Sequence, residues 1–296
     1  MVKVLGHRGL RSHPEIDENS AAAFEAGLKA ADGIETDAVV SADGTVFLGH
    51  DVTQKYAPHA FSRSVYVFKD LLDKKSAVIV GERRIEQLSD SEIDQLRLKK
   101  GAKVPRLAEL FNQVAKHPGK TINIEVKGEK VIEPLIAEIN KAVAAGQITK
   151  DQIVLTSFNH PAIQKARELA PDIRCGLIFS GSSHYDSRIF PWSGNKDSRY
   201  VEFNKGSLKS KLINEIAPEF FVLKASEVTE KNISLLREHF PKAKVMFWTS
   251  AEKLPEQNSQ IVETLSNPKI APAIEAVITD YPEQMVKLLQ AKGLRV

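Results

Sequence analysis

Short apolar runs recur along the chain, and most are separated by stretches whose apolar residues repeat at helical spacing. The runs that read as strands are 2–6, 33–39, 121–126, 153–157, 174–179, 220–223, 244–248 and 276–279. The helical stretches between them are 20–30, 107–116, 131–145, 161–169, 230–239 and a closing 283–292. Asn19-Ser20 precedes the first and Asn159 with Pro161 opens another, both in the places where helices take their capping residues. Strands alternating with helices imply parallel β-α-β units, because a parallel connection needs a long crossover. Eight such units in this length predict an α/β chain folded as a (β/α)8 TIM barrel, with a doubly wound open sheet as the competing architecture.

One interval breaks the rhythm. Between the second and third of these strands lie about eighty residues, 40–120, opening on a hairpin that turns at Ser41-Ala42-Asp43-Gly44 into 45–49. Polar, less regular sequence follows to Lys100, so residues 51–100 read as a small insertion after the second strand, too thin to fold alone, on a single barrel domain spanning 1–296. A second irregular stretch, 180–210, is rich in Ser, Gly and charges. Loops leaving the C-terminal ends of barrel strands form the rim of the active site. Both stretches are therefore either rim elements or tolerated surface insertions.

Composition narrows the function classes. With 42% hydrophobic and 27% charged residues the 296-residue chain is an ordinary globular protein. Lys and Arg number 41 against 38 acids, a surplus too small and scattered to predict a nucleic-acid partner. The single Cys175 excludes an internal disulfide framework and a cysteine-built metal site. No apolar run approaches the roughly 18 residues of a membrane span and no cationic-then-apolar leader follows Met1, so the expectation is a soluble, cytoplasmic protein without stable membrane insertion. A homodimer is left open.

Several polar residues stand where a barrel would expose them to a ligand. Gly6-His7-Arg8-Gly9 closes the first strand, and the flanking glycines let backbone turn sharply and approach a ligand. In Gly33-Ile34-Glu35-Thr36-Asp37, Glu35 and Asp37 are two apart and share one face of the second strand, opposite Ile34 and Thr36. Two adjacent carboxylates on a core-forming strand are costly unless a cation neutralises them, and a hard divalent ion, Mg²⁺ or Ca²⁺, suits oxygen ligands. The alternative is an edge strand with solvated acids. The next strand repeats the arrangement in Asn123-Ile124-Glu125-Val126-Lys127, so Glu125 can complete a three-carboxylate cage with Lys127 beside it as an anion holder, or the two form an inter-strand salt bridge. Gly49-His50-Asp51 follows the hairpin; His7 and His50 are the two of eight histidines that follow short apolar strands, whereas His13, His59, His117, His160, His184 and His239 fall in loops or helix margins and are expected to be solvated. Paired imidazoles beside Arg8, Lys127 and a divalent cation suit acid–base transfer at a phosphate ester. The chain contains no GxxxxGK[ST] loop, no GxGxxG after a strand, no GxSxG and no HExxH, and it offers no obvious protein nucleophile.

Together these residues resemble the glycerophosphodiester phosphodiesterase family. The match is carried by Gly6-His7-Arg8-Gly9, Glu18-Asn19-Ser20 before an apolar helix with Phe24 and Ala26, Gly33-Ile34-Glu35-Thr36-Asp37, Asp43-Gly44 and His50-Asp51. It continues through Asn123-Ile124-Glu125-Val126-Lys127, Thr156-Ser157-Phe158, Trp248-Thr249 and Thr279-Asp280-Tyr281-Pro282. The resemblance implies a (β/α)8 barrel with a small insertion, a divalent metal held by Glu35, Asp37 and Glu125, phosphate contacts from Arg8 and Lys127, and His7 and His50 as the acid–base pair, by analogy His7 the base and His50 the acid. It implies hydrolysis of a small-molecule glycerophosphodiester such as glycerophosphocholine to an alcohol and sn-glycerol 3-phosphate. The substrate's neighbouring hydroxyl would be the nucleophile and a cyclic phosphate the intermediate.

The chain departs from the family pattern in two places. The usual Pro-Glu-Asn-Thr turn is here Asp17-Glu18-Asn19-Ser20, with Pro14 three residues earlier, and Ser250-Ala251 follows Trp248-Thr249 where Val-Asn is common. Glu18, Trp248 and Asp280 are accordingly read as structural. The stretch 180–210 carries no family motif, but its Arg188, Trp192, Lys196 and Arg199 could touch a leaving group. Two further readings stand beside the first: a phospholipase D-type enzyme on lysophospholipids, needing an apolar path from Phe158, Phe190 or Trp192, and a non-catalytic phosphate-ligand sensor on the same barrel.

Overall fold

Nine strands form one sheet in the computed structural model, which describes residues 2–50, 68–179, 201–249 and 254–295. They are β1 (Lys3–Gly6), β2 (Gly33–Val40), β3 (Val46–Leu48), β4 (Thr121–Val126), β5 (Ile153–Ser157), β6 (Arg174–Ile178), β7 (Phe220–Lys224), β8 (Lys244–Trp248) and β9 (Ile274–Thr279). All but β3 run parallel, in the order β1-β9-β8-β7-β6-β5-β4-β2, and pairing of β1 with β2 closes the ring. The fold is a (β/α)8 barrel, and the open sheet is excluded by that closure. β3 lies antiparallel on β2, from Ala38 opposite Leu48 to Val40 opposite Val46, as the hairpin expected at Asp43-Gly44 requires.

Side-chain alternation divides the apolar residues between two cores. Val4, Ile34, Ile122, Ile124, Leu155, Leu177, Phe221, Phe247 and Val277 face outward into a layer shared with the helices, where Phe24, Leu28, Phe111 and Leu135 are buried. Their neighbours Leu5, Val154, Ile178, Phe220, Val222, Met246, Ala276 and Ile278 pack together inside the barrel. On β2 and β4 the positions on this inner face are instead Glu35, Asp37, Asn123 and Glu125. Hence the barrel interior is polar along β2 and β4, where Thr156 of β5 joins it by donating to Asn123 Oδ1 at 2.9 Å, and otherwise mainly apolar along β5 to β9.

The covering helices start where the sequence supplies a cap. Ser20 Oγ accepts from Ala23 N at the head of Ala21–Ala30, and Asn159 and Thr229 do the same for His160–Leu169 and Glu230–His239. Helices Lys211–Ile216 and Leu254–Ser266, absent from the sequence reading, complete the ring. Of the irregular stretch 180–210, residues 201–210 are described, and Lys205–Leu208 forms a one-turn helix capped by Asn204; 180–200 lie outside the described residues. So do 51–67 of the segment after β3. Residues 68–104 of that segment bring Phe68, Leu71, Leu72, Val80, Ile85, Leu88, Ile93, Leu96, Leu98 and Val104 into a separate apolar cluster with Val39 of β2 and Phe47 of β3. This cluster therefore sits against the C-terminal end of β2. Among the described residues no helix is long and apolar enough to cross a membrane.

Candidate active site

The turn after β1 is built by close backbone packing. Gly9 has φ +79°, and a Cβ there would meet the carbonyl of Ala23 at 2.6 Å; a Cβ on Gly27 would meet Gly9 O at 2.5 Å. The loop is thereby pressed onto the first helix, and Arg8, itself at φ 51°, is turned back toward β2. Arg8 N donates to Glu35 Oε2 at 3.1 Å, Gly9 N donates to the Glu35 carbonyl at 3.2 Å, and Asn19 N donates to the Arg8 carbonyl at 3.0 Å. A left-handed, non-glycine residue costs free energy, and these bonds hold it in place.

The acids are buried in the closed barrel rather than solvated at an edge: all eight residues of β2 are buried. The β2–β4 ladder sets Asp37 opposite Glu125 and Glu35 opposite Asn123. Oxygens of Glu35, Asp37 and Glu125 lie within 4.8 Å of one another. Two cations face the group. Lys127 Nζ contacts Asp37 Oδ1 at 2.8 Å and Glu125 Oε1 at 2.6 Å, and Arg8 Nε lies 3.2 Å from Asp37 Oδ2. Asn19 Nδ2 donates to Asp37 Oδ2 at 2.9 Å and its Oδ1 accepts from Thr36 Oγ1 at 2.8 Å, which fixes the Asp37 carboxylate.

Charge in this pocket is unevenly balanced. Burial, then the neighbouring Asp37, pushes the Glu35 carboxyl up to about 7. Burial raises Glu125 too, with Lys127 opposing it. Asp37 is also buried, but Lys127 and Arg8 outweigh that and hold it well below the usual carboxylate range. Lys127 and Arg8 both stay cationic, burial being outweighed for each by Asp37 and by Glu125 or Glu18. A site in which burial and acid–acid repulsion protonate one of three convergent carboxyls fits a divalent cation, which would replace that proton.

Both expected histidines reach this pocket. His7 N donates to Thr279 O at 2.8 Å, placing the ring above β1; Nδ1 hydrogen-bonds Asp280 Oδ1 at 2.5 Å and Nε2 lies 3.8 Å from Glu35 Oε2. His50 follows Gly49, whose N–H donates to the Asp37 carbonyl at 2.9 Å. Burial, reinforced by Lys127 and Arg8, holds His50 well below the ordinary histidine range, so the ring is neutral. Its Nδ1 is buried with no hydrogen-bond partner among the described residues.

Two acids read from sequence as structural belong to this network. Asp280 is the partner of His7, and Arg11 Nη1 at 3.3 Å and a bond from Ser12 Oγ to the Asp280 carbonyl hold it. Glu18 pairs with Arg8 through Oε1 and with Arg11 Nε through Oε2 at 2.9 Å. Their place after a strand and before a helix was the available signal; the partners, far along the chain for Asp280, were not. Trp248 meets Phe158 edge-on at 6.1 Å, both half-buried against the inner apolar core. Asp51, Arg188, Phe190, Trp192, Lys196 and Arg199 lie outside the described residues. One expectation is overturned: His160 is fully buried, its Nε2 donating to Ile178 O at 3.0 Å and its ring 5.0 Å from that of Phe179.

A (β/α)8 barrel with three acids, two cations and two histidines gathered at the C-terminal ends of its strands defines a barrel enzyme equipped for a phosphate ester. The family model of the glycerophosphoryl diester phosphodiesterase family matches residues 7–284, and the chain belongs to that family. A glycerophosphodiester phosphodiesterase of Caldanaerobacter subterraneus subsp. tengcongensis is 26% identical over 292 residues, 98% of each chain. Among solved structures, a glycerophosphodiester phosphodiesterase from Parabacteroides distasonis superposes with a TM-score of 0.67 at 15% identity, covering 99% of this chain and 98% of that one. An Oleispira antarctica phosphodiesterase in complex with its product sn-glycerol-3-phosphate gives 0.64 at 19% identity, over 97% and 96%.

Proposed function

We propose that this protein hydrolyses glycerophosphodiesters such as glycerophosphocholine to an alcohol and sn-glycerol 3-phosphate, with His7 and His50 as its acid–base pair. The observation that carries the reading is the convergence of Glu35, Asp37 and Glu125 within 4.8 Å beside Lys127 and Arg8, in a chain of this family.

Glu35, Asp37 and Glu125 would hold Mg²⁺ or Ca²⁺. When bound, such an ion supplies positive charge that polarises the phosphoryl group. Arg8 and Lys127 hold the phosphate oxygens, Arg8 presenting a planar fork and Lys127 a point charge. Attack comes from the glycerol hydroxyl next to the phosphate, as the resemblance to the family implies for a sequence that offers no obvious protein nucleophile. His50, held neutral by burial and by Lys127 and Arg8, takes that hydroxyl's proton as the oxygen bonds to phosphorus. The bond from phosphorus to the leaving alcohol breaks, and His7, whose Nδ1 rests on Asp280, gives the alcohol oxygen a proton. This electrostatic order reverses the one that analogy suggests. Water then opens the cyclic phosphate with the two imidazoles exchanging roles, which returns both to their starting states.

A lysophospholipid substrate is the second reading, favoured by the aromatic pair Phe158–Trp248 on the apolar side of the barrel mouth. Rates on glycerophosphocholine and lysophosphatidylcholine under identical conditions separate the two. Faster release from the deacylated diester supports the first reading, and faster release of choline from the acylated one overturns it.

A further inference from the structure

Arg8 and His7 are adjacent in sequence, yet their acidic partners stand in different parts of the chain. Glu18 pairs with Arg8 and belongs to the loop before the first helix, whereas Asp280 bonds His7 Nδ1 and follows β9. One side chain touches both acids: Arg11 donates from Nε to Glu18 Oε2 at 2.9 Å and from Nη1 to Asp280 Oδ2 at 3.3 Å. Each carboxylate therefore spends one oxygen on a residue at the substrate and the other on Arg11. Charges alternate along Arg8–Glu18–Arg11–Asp280–His7, and the two acids are partly or wholly shielded, with side-chain exposures of 19% and 2%. A carboxylate in such surroundings turns toward whatever cation is offered, and removing one cation lets it rotate toward the remaining one. Both geometries thus depend on the same guanidinium, whose planar fork a single ammonium cannot reproduce.

We propose that Arg11 is a positioning residue that couples the phosphate-binding arginine, through Glu18, to the acid–base histidine, through Asp280. The inference rests on the reading of Arg8 and His7 given above. Arg11 acts on binding through one acid and on proton transfer through the other, so its two effects separate by background.

The test is a pair of double-mutant cycles on the full chain with glycerophosphocholine and Mg²⁺: Arg11→Met and Arg11→Lys alone, and Arg11→Met combined with Asp280→Asn or with Glu18→Gln. Arg11→Met should lower kcat by about tenfold and raise KM severalfold, a size typical of coupled neighbours. The kcat loss should fall below about twofold in the Asp280→Asn background, and the KM change should vanish in the Glu18→Gln background. Arg11→Lys should restore only part of either. Equal factors in every background overturn the proposal. A second readout needs no turnover: the imidazole Nδ1–H resonance of His7, assigned by its loss in His7→Gln, should move in Arg11→Met, and an unchanged resonance overturns the proposal. If the unmodified protein turns over no diester, the functional reading falls, and this resonance alone decides for or against the coupling.

Discussion

Asp37 on β2 stands directly opposite Glu125 on β4, and the Lys127 amine joins the two carboxylates at 2.8 and 2.6 Å. Glu35, two residues earlier on the same face, is pushed up to about 7 by burial and by Asp37, and is the carboxyl that takes up a proton. This inequality decides how the site meets a cation.

Metal uptake should displace a proton. With Glu35 pushed up to about 7, the metal-free site holds close to one proton below neutrality and sheds it as pH rises through that value. Calorimetric titration of Mg²⁺ or Ca²⁺ in buffers of different ionisation enthalpy should show about one proton released per ion at pH 6 and close to none at pH 8.5. Affinity should rise up to tenfold per pH unit below about 7 and then level off. Glu35→Gln should abolish the proton release; release that persists in this variant contradicts the assignment.

His7→Ala and His50→Ala should each lower turnover by about 10²–10⁴-fold while leaving the melting temperature within a few degrees of the parent. Asp280→Asn should cost less than His7→Ala, because it leaves the imidazole in place without its carboxylate partner. Near-normal kcat in either histidine variant would remove it from the mechanism.

His160 supplies a stability prediction away from the chemistry. Burial holds it at about 4 against 6.5 for an ordinary histidine, so only the unfolded chain binds a proton between those values. Its contribution is present above pH 6.5 and is lost as pH falls toward 4, up to about 3 kcal/mol over that window. Urea unfolding at pH 7 and pH 4.5 should therefore show the parent losing more stability than His160→Gln. Parallel losses would contradict this account.

Gly33 of β2 pairs with Thr121 of β4, where the strand has no room for a side chain. A Cβ there would lie 1.8 Å from Thr121 O, a backbone atom that cannot swing away. Gly33→Ala should cost about 3 kcal/mol or more, read as a lowered urea midpoint or as insoluble protein. A midpoint within experimental scatter of the parent would show that the ladder yields more easily than its geometry implies.

The parts of this molecule legible in sequence are those set by local spacing. Glu35 and Asp37 could be placed on one face of a strand because alternation is rigid, and His7 and Arg8 could be placed at a barrel mouth because they end an apolar run. Closure of the barrel is a long-range event, and what depends on it was hidden: His7 and Asp280 are 273 residues apart and meet only when β9 pairs with β1. His160 was misjudged because its helix-start position resembles a surface one, while burial under Phe179 comes from packing. Lys211–Ile216 was missed since Ile213 and Ile216 give one turn of apolar spacing, and Leu254–Ser266 because its sequence is largely polar.

The most direct measurement is release of sn-glycerol 3-phosphate from glycerophosphocholine with Mg²⁺, with Ca²⁺ and with a chelator. The account predicts release with at least one of the ions, suppression by the chelator, and no release from an Asp37→Ala protein that still folds. Release that continues unchanged in the chelator, or in Asp37→Ala, would contradict a reaction that depends on the three carboxylates.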